Sequence, residues 1–145
     1  MRSPNSFYVA SSLENADQVR GFAMALVRWG YDWTYDWTRH GSVQSEGETV
    51  IREVAMKEMN GIHDADVVFV LFPGGRGTHV ELGAAIALMK RVVIVPRMPE
   101  PLMQDRICAF YLHPGVEIVR PDFTIDVIDR EPTATEQLHK FFRTR

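Results

Sequence analysis

Apolar residues along this chain form short continuous runs that alternate with segments of helical spacing. A short continuous apolar run is typical of a buried strand, whereas apolar residues three and four positions apart are typical of one helix face. The stretch Tyr-Asp-Trp-Thr-Tyr-Asp-Trp alternates aromatic and polar residues, which is a further strand signal. These patterns together predict strands at residues 7–10, 31–37, 67–72, 91–95 and 116–119.

Helices are predicted between these strands. The first has a continuous apolar face, Asn15 or Ser12 as a candidate N-cap and Gly30 as its end. That face consists of Val19, Phe22, Ala23, Leu26 and Val27. In the second helix, Val50, Ile51 and Val54 are expected to face the core, after a polar loop at residues 39–48. Helices are predicted at residues 49–62, 78–90, 102–112 and 133–142, in addition to the first.

Strands that alternate with helices predict one fold class. Such chains form right-handed crossovers and a mostly parallel sheet covered on both faces. We therefore expect a single α/β domain of residues 1–145 with a sheet of about five strands, without internal repeats or a linker. Ligands of such sheets bind beyond the carboxyl ends of the strands.

Composition narrows the possible partners. A length of 145 residues with 46% hydrophobic residues suits one globular domain. The net charge of -3 argues against a nucleic-acid surface, and no apolar run is long enough to cross a membrane. The first residues lack the apolar stretch of a signal peptide, and the single cysteine, Cys108, excludes an internal disulfide. We expect a cytoplasmic protein in which Cys108 is a buried structural thiol.

A glycine-rich segment follows the apolar run at residues 67–72 and precedes an alanine-rich helix. Its sequence at residues 73–83 is Pro-Gly-Gly-Arg-Gly-Thr-His-Val-Glu-Leu-Gly. Gly74, Gly75 and Gly77 allow a tight turn in which the backbone approaches a ligand closely. The amides and the positive end of the helix favour an anion or a sugar there. The spacing matches neither the dinucleotide fingerprint nor a Walker loop.

Three side chains of this segment have two interpretations each. Thr78 is a natural N-cap, or its hydroxyl contacts a phosphate or sugar. Glu81 lies three residues later, where it either completes a capping box or serves as a functional carboxylate. Arg76 either binds a phosphate beside the glycine turn or is a solvated loop arginine.

Three segments together resemble a known family. Residues 7–12 read Phe-Tyr-Val-Ala-Ser-Ser and residues 62–68 read Ile-His-Asp-Ala-Asp-Val-Val. Residues 77–83 read Gly-Thr-His-Val-Glu-Leu-Gly and are followed by Lys-Arg-Val-Val-Ile-Val at residues 90–95. They resemble the nucleoside 2-deoxyribosyltransferase family, whose relatives include nucleoside 5′-monophosphate N-glycosidases. The resemblance covers about residues 7–96. It implies a flavodoxin-like sheet, N-glycosidic bond chemistry without a cofactor or metal, and a homodimer or larger homo-oligomer, because family sites borrow residues from a neighbouring subunit.

The resemblance also implies roles for individual residues. Glu81 corresponds to the nucleophile that attacks the anomeric carbon, where a carboxylate stabilises oxocarbenium charge. Tyr8 corresponds to the tyrosine that touches that carboxylate, although a tyrosine there also suits a purely apolar position under the sheet edge. Ser11 belongs to the same motif and is expected to contact the substrate. Glu58 corresponds to an aspartate near the sugar or base, or else pairs as an exposed helix carboxylate with Lys57 or Arg52.

Aromatic and histidine side chains are weaker candidates. Trp37, with Trp33 and Tyr35 nearby, either stacks on a base or belongs to the core. Asp36 and His40 are candidates to reach the site from the loop that follows. His79 lacks a second histidine at metal spacing, and we expect the remaining three histidines to be surface residues. Those three are His63, His113 and His139.

Two departures from the family pattern leave the reaction open. Gly75 and Arg76 stand where transferases carry an aspartate that contacts the base, and Pro101 stands where the family has an asparagine before Leu-Met. The segment at residues 73–81 also resembles the Pro-Gly-Gly-x-Gly-Thr-x-x-Glu element of phosphoribohydrolases that release bases from nucleoside monophosphates. Three hypotheses follow: transfer between nucleosides, hydrolysis of a nucleoside or nucleotide, and a non-catalytic nucleotide-binding module.

Overall fold

Five parallel strands form one sheet in the computed structural model, which describes residues 4–96, 106–119 and 138–142. The strands are β1 (Ser6–Ala10), β2 (Asp32–Trp33), β3 (Val67–Phe72), β4 (Arg91–Pro96) and β5 (Val116–Ile118). Their order across the sheet is β2-β1-β3-β4-β5, and every neighbouring pair is parallel. This order is that of flavodoxin-like folds, so the predicted fold class is confirmed.

Three α-helices connect the strands within the described residues: α1 (Ala16–Arg28), α2 (Glu48–Asp64) and α3 (Arg76–Ala87). The buried positions of α1 are Val19, Phe22, Ala23, Ala25 and Leu26. Val27, predicted on that face, is exposed, and so are Val50 and Ile51 of α2. No helix of the described residues is long and apolar enough to cross a membrane.

The core is built around β1, β3 and β4 and is mostly apolar. Every residue of β1 and β3 is buried, as expected for strands covered on both faces. The starts of these strands are held together by Asp66, whose Oδ2 accepts hydrogen bonds from the amides of Asn5 and Ser6 and from Ser6 Oγ. This bond set fixes the register Phe7 to Val67 and therefore the relative position of the two strand ends.

The predicted strand at residues 31–37 is wrong beyond Trp33. Thr34 still donates its amide to the Phe7 carbonyl oxygen at 2.9 Å, and its hydroxyl donates to the Gly61 carbonyl oxygen at 2.7 Å, but the strand ends before it. A 3₁₀ turn then covers Trp37–Arg39, and Asp36 caps it by accepting the Thr38 amide at 3.0 Å. Local side-chain hydrogen bonds thus outcompete the alternation of aromatic and polar residues.

The predicted helix at residues 102–112 is not found where the structure describes that range. Residues 106–108 are not helical and Ala109–Leu112 form a 3₁₀ turn, while 102–105 lie outside the described residues. Of the predicted helix at 133–142, residues 133–137 also lie outside, and His139–Phe142 form a 3₁₀ turn. His139 is not a surface residue, because it packs edge-on against Trp29 and hydrogen bonds to Tyr31 at 2.6 Å. Cys108, expected to be buried, is only half-buried.

Candidate active site

A cavity of about 560 Å³ opens at the carboxyl ends of β1 and β3. Its walls come from the loop after β1, the start of α3, one side of α2 and the loop at residues 40–44. Eight of the residues predicted from the sequence line it: Ser11, Trp37, Glu58, Gly75, Arg76, Gly77, Thr78 and Glu81. Two others, Tyr8 and Gly74, do not line the cavity. The strand ends therefore gather most of the predicted site residues around one space.

The glycine turn begins α3 two residues earlier than predicted. Gly75 is the N-cap, and Thr78, predicted as the cap, is buried in the first helical turn. Thr78 Oγ1 accepts the Gly75 amide at 3.2 Å, so its hydroxyl closes the turn from inside the helix. Gly74 permits this packing, because a Cβ there would lie 2.5 Å from Thr78 Cγ2. The turn is thus held in shape by a hydroxyl and a missing side chain.

The loop after β1 is fastened to this turn by three side chains. Ser11 Oγ donates to the carbonyl oxygen of Leu71 at 2.7 Å and accepts from Asn15 Nδ2 at 3.0 Å. Asn15 Nδ2 also donates to the Pro73 carbonyl at 2.8 Å, and Ser12 Oγ donates to the same oxygen at 3.3 Å. Ser11 therefore has a structural role in tying the loop after β1 to Leu71, in addition to the substrate contact expected from the sequence. From the sequence, Asn15 is only a candidate N-cap. The one sequence signal for its contact with Ser11 is the spacing of four residues.

Glu81 lies in the second turn of α3 and is 8% exposed. Since Gly75 is the N-cap, Glu81 does not occupy the capping-box position, and that alternative is wrong. Its Oε2 is buried with no hydrogen-bond partner among the described residues. Burial, followed by the charge of Glu58, raises the pKa of Glu81 to about 8, while the Tyr8 hydroxyl acts in the opposite direction. Glu81 thus places a buried carboxyl group at the cavity wall.

Tyr8 lies in β1 with no exposed surface, behind the cavity wall and beside Glu81. Its hydroxyl also lacks a hydrogen-bond partner among the described residues. Burial, and then the charge of Glu81, raises the pKa of Tyr8 well above its usual value. The hydroxyl therefore stays protonated, and it is a donor that faces a carboxylate.

Glu58 approaches the same region from α2. It is half-buried, and burial raises its pKa while the nearby His40 lowers it. Within the described residues it forms no ion pair with Lys57 or Arg52, so the surface-pair interpretation is not supported. Its charge acts on Glu81, Tyr8 and Tyr35. Two carboxyl groups with raised pKa values thus share one cavity.

Trp37 belongs both to the core and to the cavity wall. It is 4% exposed, and its Nε1 donates to the carbonyl oxygen of Val9 at 2.7 Å. The ring also lines the cavity, so the two interpretations are compatible. His40 lines the cavity as well, whereas Asp36 does not and instead pairs with Arg39 at 3.2 Å.

Arg76 is exposed on the cavity wall and forms no ion pair with the described residues. Its neighbour in the same helix, His79, contacts the turn directly. His79 Nδ1 lies 2.7 Å from the Gly75 carbonyl oxygen, and Nε2 lies 2.6 Å from Tyr111 Oη. No local sequence pattern predicts this role of His79, because its contact to Tyr111 spans 32 residues.

Comparison with known proteins agrees with this architecture. The family model for nucleoside 2-deoxyribosyltransferases matches residues 7–130. Among solved structures, the fold is similar to the CMP N-glycosidase BcmB of Clostridium botulinum, with a TM-score of 0.56 and 13% identity. That similarity covers 94% of this chain and 97% of the BcmB chain. No curated protein matches the sequence.

Proposed function

The chain belongs to the nucleoside 2-deoxyribosyltransferase family, and on this premise we propose that it cleaves or transfers at the N-glycosidic bond of a nucleoside or nucleotide. The observation that carries the proposal is Glu81, a buried carboxyl that lines the cavity beside the glycine turn and whose pKa is raised by burial. A carboxylate in such a position stabilises positive charge at an anomeric carbon and forms a covalent bond to it.

The proposed reaction is a double displacement. A carboxylate oxygen of Glu81 forms a bond to the anomeric carbon while the carbon–nitrogen bond to the base breaks. The base leaves with that electron pair and takes up a proton. Water, or a second base, then attacks the same carbon, loses a proton to solvent and releases the glutamate carboxylate. The first acceptor gives hydrolysis and the second gives transfer.

The charge of Glu58 controls the ionisation of Glu81 in this proposal. Glu81 must be ionised to attack the anomeric carbon. Burial raises the pKa of both carboxyl groups, and the charge of Glu58 raises that of Glu81 further, so both effects oppose ionisation of Glu81 in the empty site. Tyr8 supports the ionised form of Glu81, because its hydroxyl acts to lower the pKa of that carboxyl.

A nucleoside 5′-monophosphate is the substrate class that the turn favours. Gly75 and Gly77 line the cavity at the start of α3, where helix amides bind anions. Arg76, exposed on the same wall, adds a cation suited to a phosphate. The fold likeness to a CMP N-glycosidase is in keeping with this choice and with hydrolysis.

A substrate panel tests the proposal. The protein is incubated with purine and pyrimidine nucleosides and their 5′-monophosphates, in ribose and deoxyribose forms, with and without an acceptor base. Chromatography distinguishes a new nucleoside, which indicates transfer, from free sugar or sugar phosphate, which indicates hydrolysis. Saturable binding of a nucleotide without base release from any member would contradict the proposal and support a non-catalytic binding module.

We also propose that the protein forms a homodimer or larger homo-oligomer. α2, which provides one side of the cavity, exposes several apolar side chains, among them Ile51, Met56 and Met59. A second copy over this helix would remove that apolar surface from water. Light scattering of the wild-type protein and of Met56→Glu measures this, and a monomeric wild-type protein would contradict it.

A further inference from the structure

The side chain of His79 connects the glycine turn to a distant part of the chain. Nδ1 contacts the Gly75 carbonyl oxygen at 2.7 Å, and the backbone amide of His79 contacts the same oxygen at 3.2 Å. Nε2 contacts the hydroxyl of Tyr111 at 2.6 Å. One carbonyl of the turn is therefore held twice by one residue, and that residue is itself held from the other side.

These contacts define which ring nitrogen of His79 carries the hydrogen. The Gly75 carbonyl only accepts, so Nδ1 carries the hydrogen. In the neutral ring Nε2 is then an acceptor, and Tyr111 Oη donates to it. Tyr111 is 5% exposed and packs on Phe72 with ring centroids 4.9 Å apart. Burial raises the pKa of Tyr111, which keeps its hydroxyl protonated as a donor.

The carbonyl of Gly75 belongs to the peptide that joins it to Arg76. Because the carbonyl and the amide of one trans peptide point in opposite directions, a fixed Gly75 oxygen fixes the Arg76 amide. The amides of the first helical turn have no partner within their helix and point beyond its start. Gly75, Arg76 and Gly77 all line the cavity at this end.

We propose that His79 is a positioning residue, held by Tyr111, that orients the amides of the glycine turn toward an anionic group of the substrate. The anionic substrate in this inference comes from the proposed function, whereas the contacts of His79 do not depend on that function. His79 acts on the turn from behind, since it does not line the cavity.

Two substitutions separate positioning from mere packing. His79→Asn puts an amide nitrogen near the position of Nδ1 and keeps the donor to Gly75. His79→Gln puts the nitrogen near Nε2 and loses that donor. For a nucleoside 5′-monophosphate we expect His79→Asn to leave KM within about threefold of wild type and His79→Gln to raise it about tenfold, the effect of one hydrogen bond, with a smaller change in kcat. Equal KM values for both variants and wild type would overturn the proposal.

Spectroscopy provides a readout that needs no turnover. In the full chain labelled with ¹⁵N-histidine, His79 should show hydrogen on Nδ1, and Tyr111→Phe should weaken this preference. A ring with hydrogen on Nε2 alone overturns the proposal. This measurement uses wild type and Tyr111→Phe, so it decides the question even where His79→Gln does not fold.

A ligand titration distinguishes failure of this inference from failure of the proposed function. If wild type releases no base from the panel, ribose 5-phosphate is titrated into ¹⁵N-labelled protein. The amide signals of Gly75, Arg76 and Gly77 should shift in wild type and His79→Asn, and less in His79→Gln. No shift in wild type, or equal shifts in all three proteins, overturns the inference.

Discussion

The hydroxyl of Tyr8 lies beside the carboxyl group of Glu81, and neither Tyr8 Oη nor Glu81 Oε2 has a hydrogen-bond partner among the described residues. Both groups are buried. The charge of Glu81 raises the pKa of Tyr8, and the Tyr8 hydroxyl acts to lower the pKa of Glu81. Leaving two buried polar atoms unsatisfied costs stability, so folding alone does not explain the pair. Glu81 also lines the adjoining cavity, where a ligand would meet its carboxyl group.

Glu81→Gln should abolish base release while the fold is retained. The amide preserves the shape of the side chain but cannot attack the anomeric carbon. Base release from the active members of the substrate panel is measured by chromatography, with circular dichroism as the check on folding. Glu53→Gln, an exposed carboxyl on α2, is the matched control and should keep wild-type turnover. Wild-type rates in Glu81→Gln would exclude Glu81 as the nucleophile.

The pH dependence of kcat/KM should have an ascending limb near pH 8. Burial and the charge of Glu58 raise the pKa of Glu81 to about 8, so the nucleophile is ionised only above this pH in the free enzyme. Glu58→Gln removes a like charge and should move the limb to lower pH, even where the maximum rate falls. Glu53→Gln should leave the midpoint in place. A midpoint unchanged by Glu58→Gln would contradict the coupling of the two carboxyl groups.

Tyr8→Phe should lower activity far more than stability. The variant loses a buried hydroxyl that lies near the Glu81 carboxyl without a hydrogen bond of good geometry to a described residue, so we expect the free energy of unfolding to change by less than about 1 kcal/mol. It also loses the donor that favours ionised Glu81, so the limb of the pH profile should move upward and kcat should fall roughly tenfold or more. Urea unfolding and steady-state kinetics measure both effects. A large loss of stability with normal kinetics would instead identify Tyr8 as a packing residue.

Glu81→Gln should also stabilise the protein at high pH. The pKa of Glu81 is about 8 in the folded state and near its ordinary value in the unfolded chain, so the folded state binds the proton more tightly. Stability from this group is fully present below the unfolded pKa, is lost progressively as the pH rises toward 8, and changes no further above that pH. The gain from Glu81→Gln should therefore be small at pH 5, grow between about pH 5 and pH 8, and level off above pH 8 at no more than about 5 kcal/mol by linkage. A stability difference that does not vary with pH would show that burial does not raise the pKa of Glu81.

Gly74→Ala and Gly77→Ala should change stability in opposite directions. A Cβ at Gly74 would lie 2.5 Å from Thr78 Cγ2, so this variant should lose about 1–3 kcal/mol through overpacking. A Cβ at Gly77 meets nothing within 4 Å, and alanine favours the helical conformation by about 0.5–1 kcal/mol. Chemical denaturation measures both free energies of unfolding. Equal stability of the two variants would contradict the close packing of Thr78 on the turn.

The elements of the fold that can be predicted from the sequence are those with continuous apolar runs. β1 and β3 are buried along their whole length, so their sequences show no ambiguity, and the strand-turn-helix arrangement around Gly74 follows. The aromatic stretch after β2 misleads because its course is set by Thr34 and Asp36 hydrogen bonds rather than by a ladder. The boundary of α3 was missed because Thr78 closes the turn from within the helix.

The site was predictable as far as single residues carry its chemistry. Glu81, Glu58 and the glycine turn meet at one cavity, as the motif suggested. The supports of the site were not predictable, since Asn15 reaches Pro73 and His79 reaches Tyr111 across contacts that only the folded chain creates. Neither pairing leaves a local pattern in the sequence.

The bonds from Ser11, Ser12 and Asn15 to Leu71 and Pro73 span about sixty positions of the chain. Such contacts form only after β1 and β3 have paired, so the turn gains its final shape late in folding. A nascent or partly opened chain would carry every residue of the candidate site and still lack its arrangement. The surroundings of Glu81 are thereby tied to completion of the sheet.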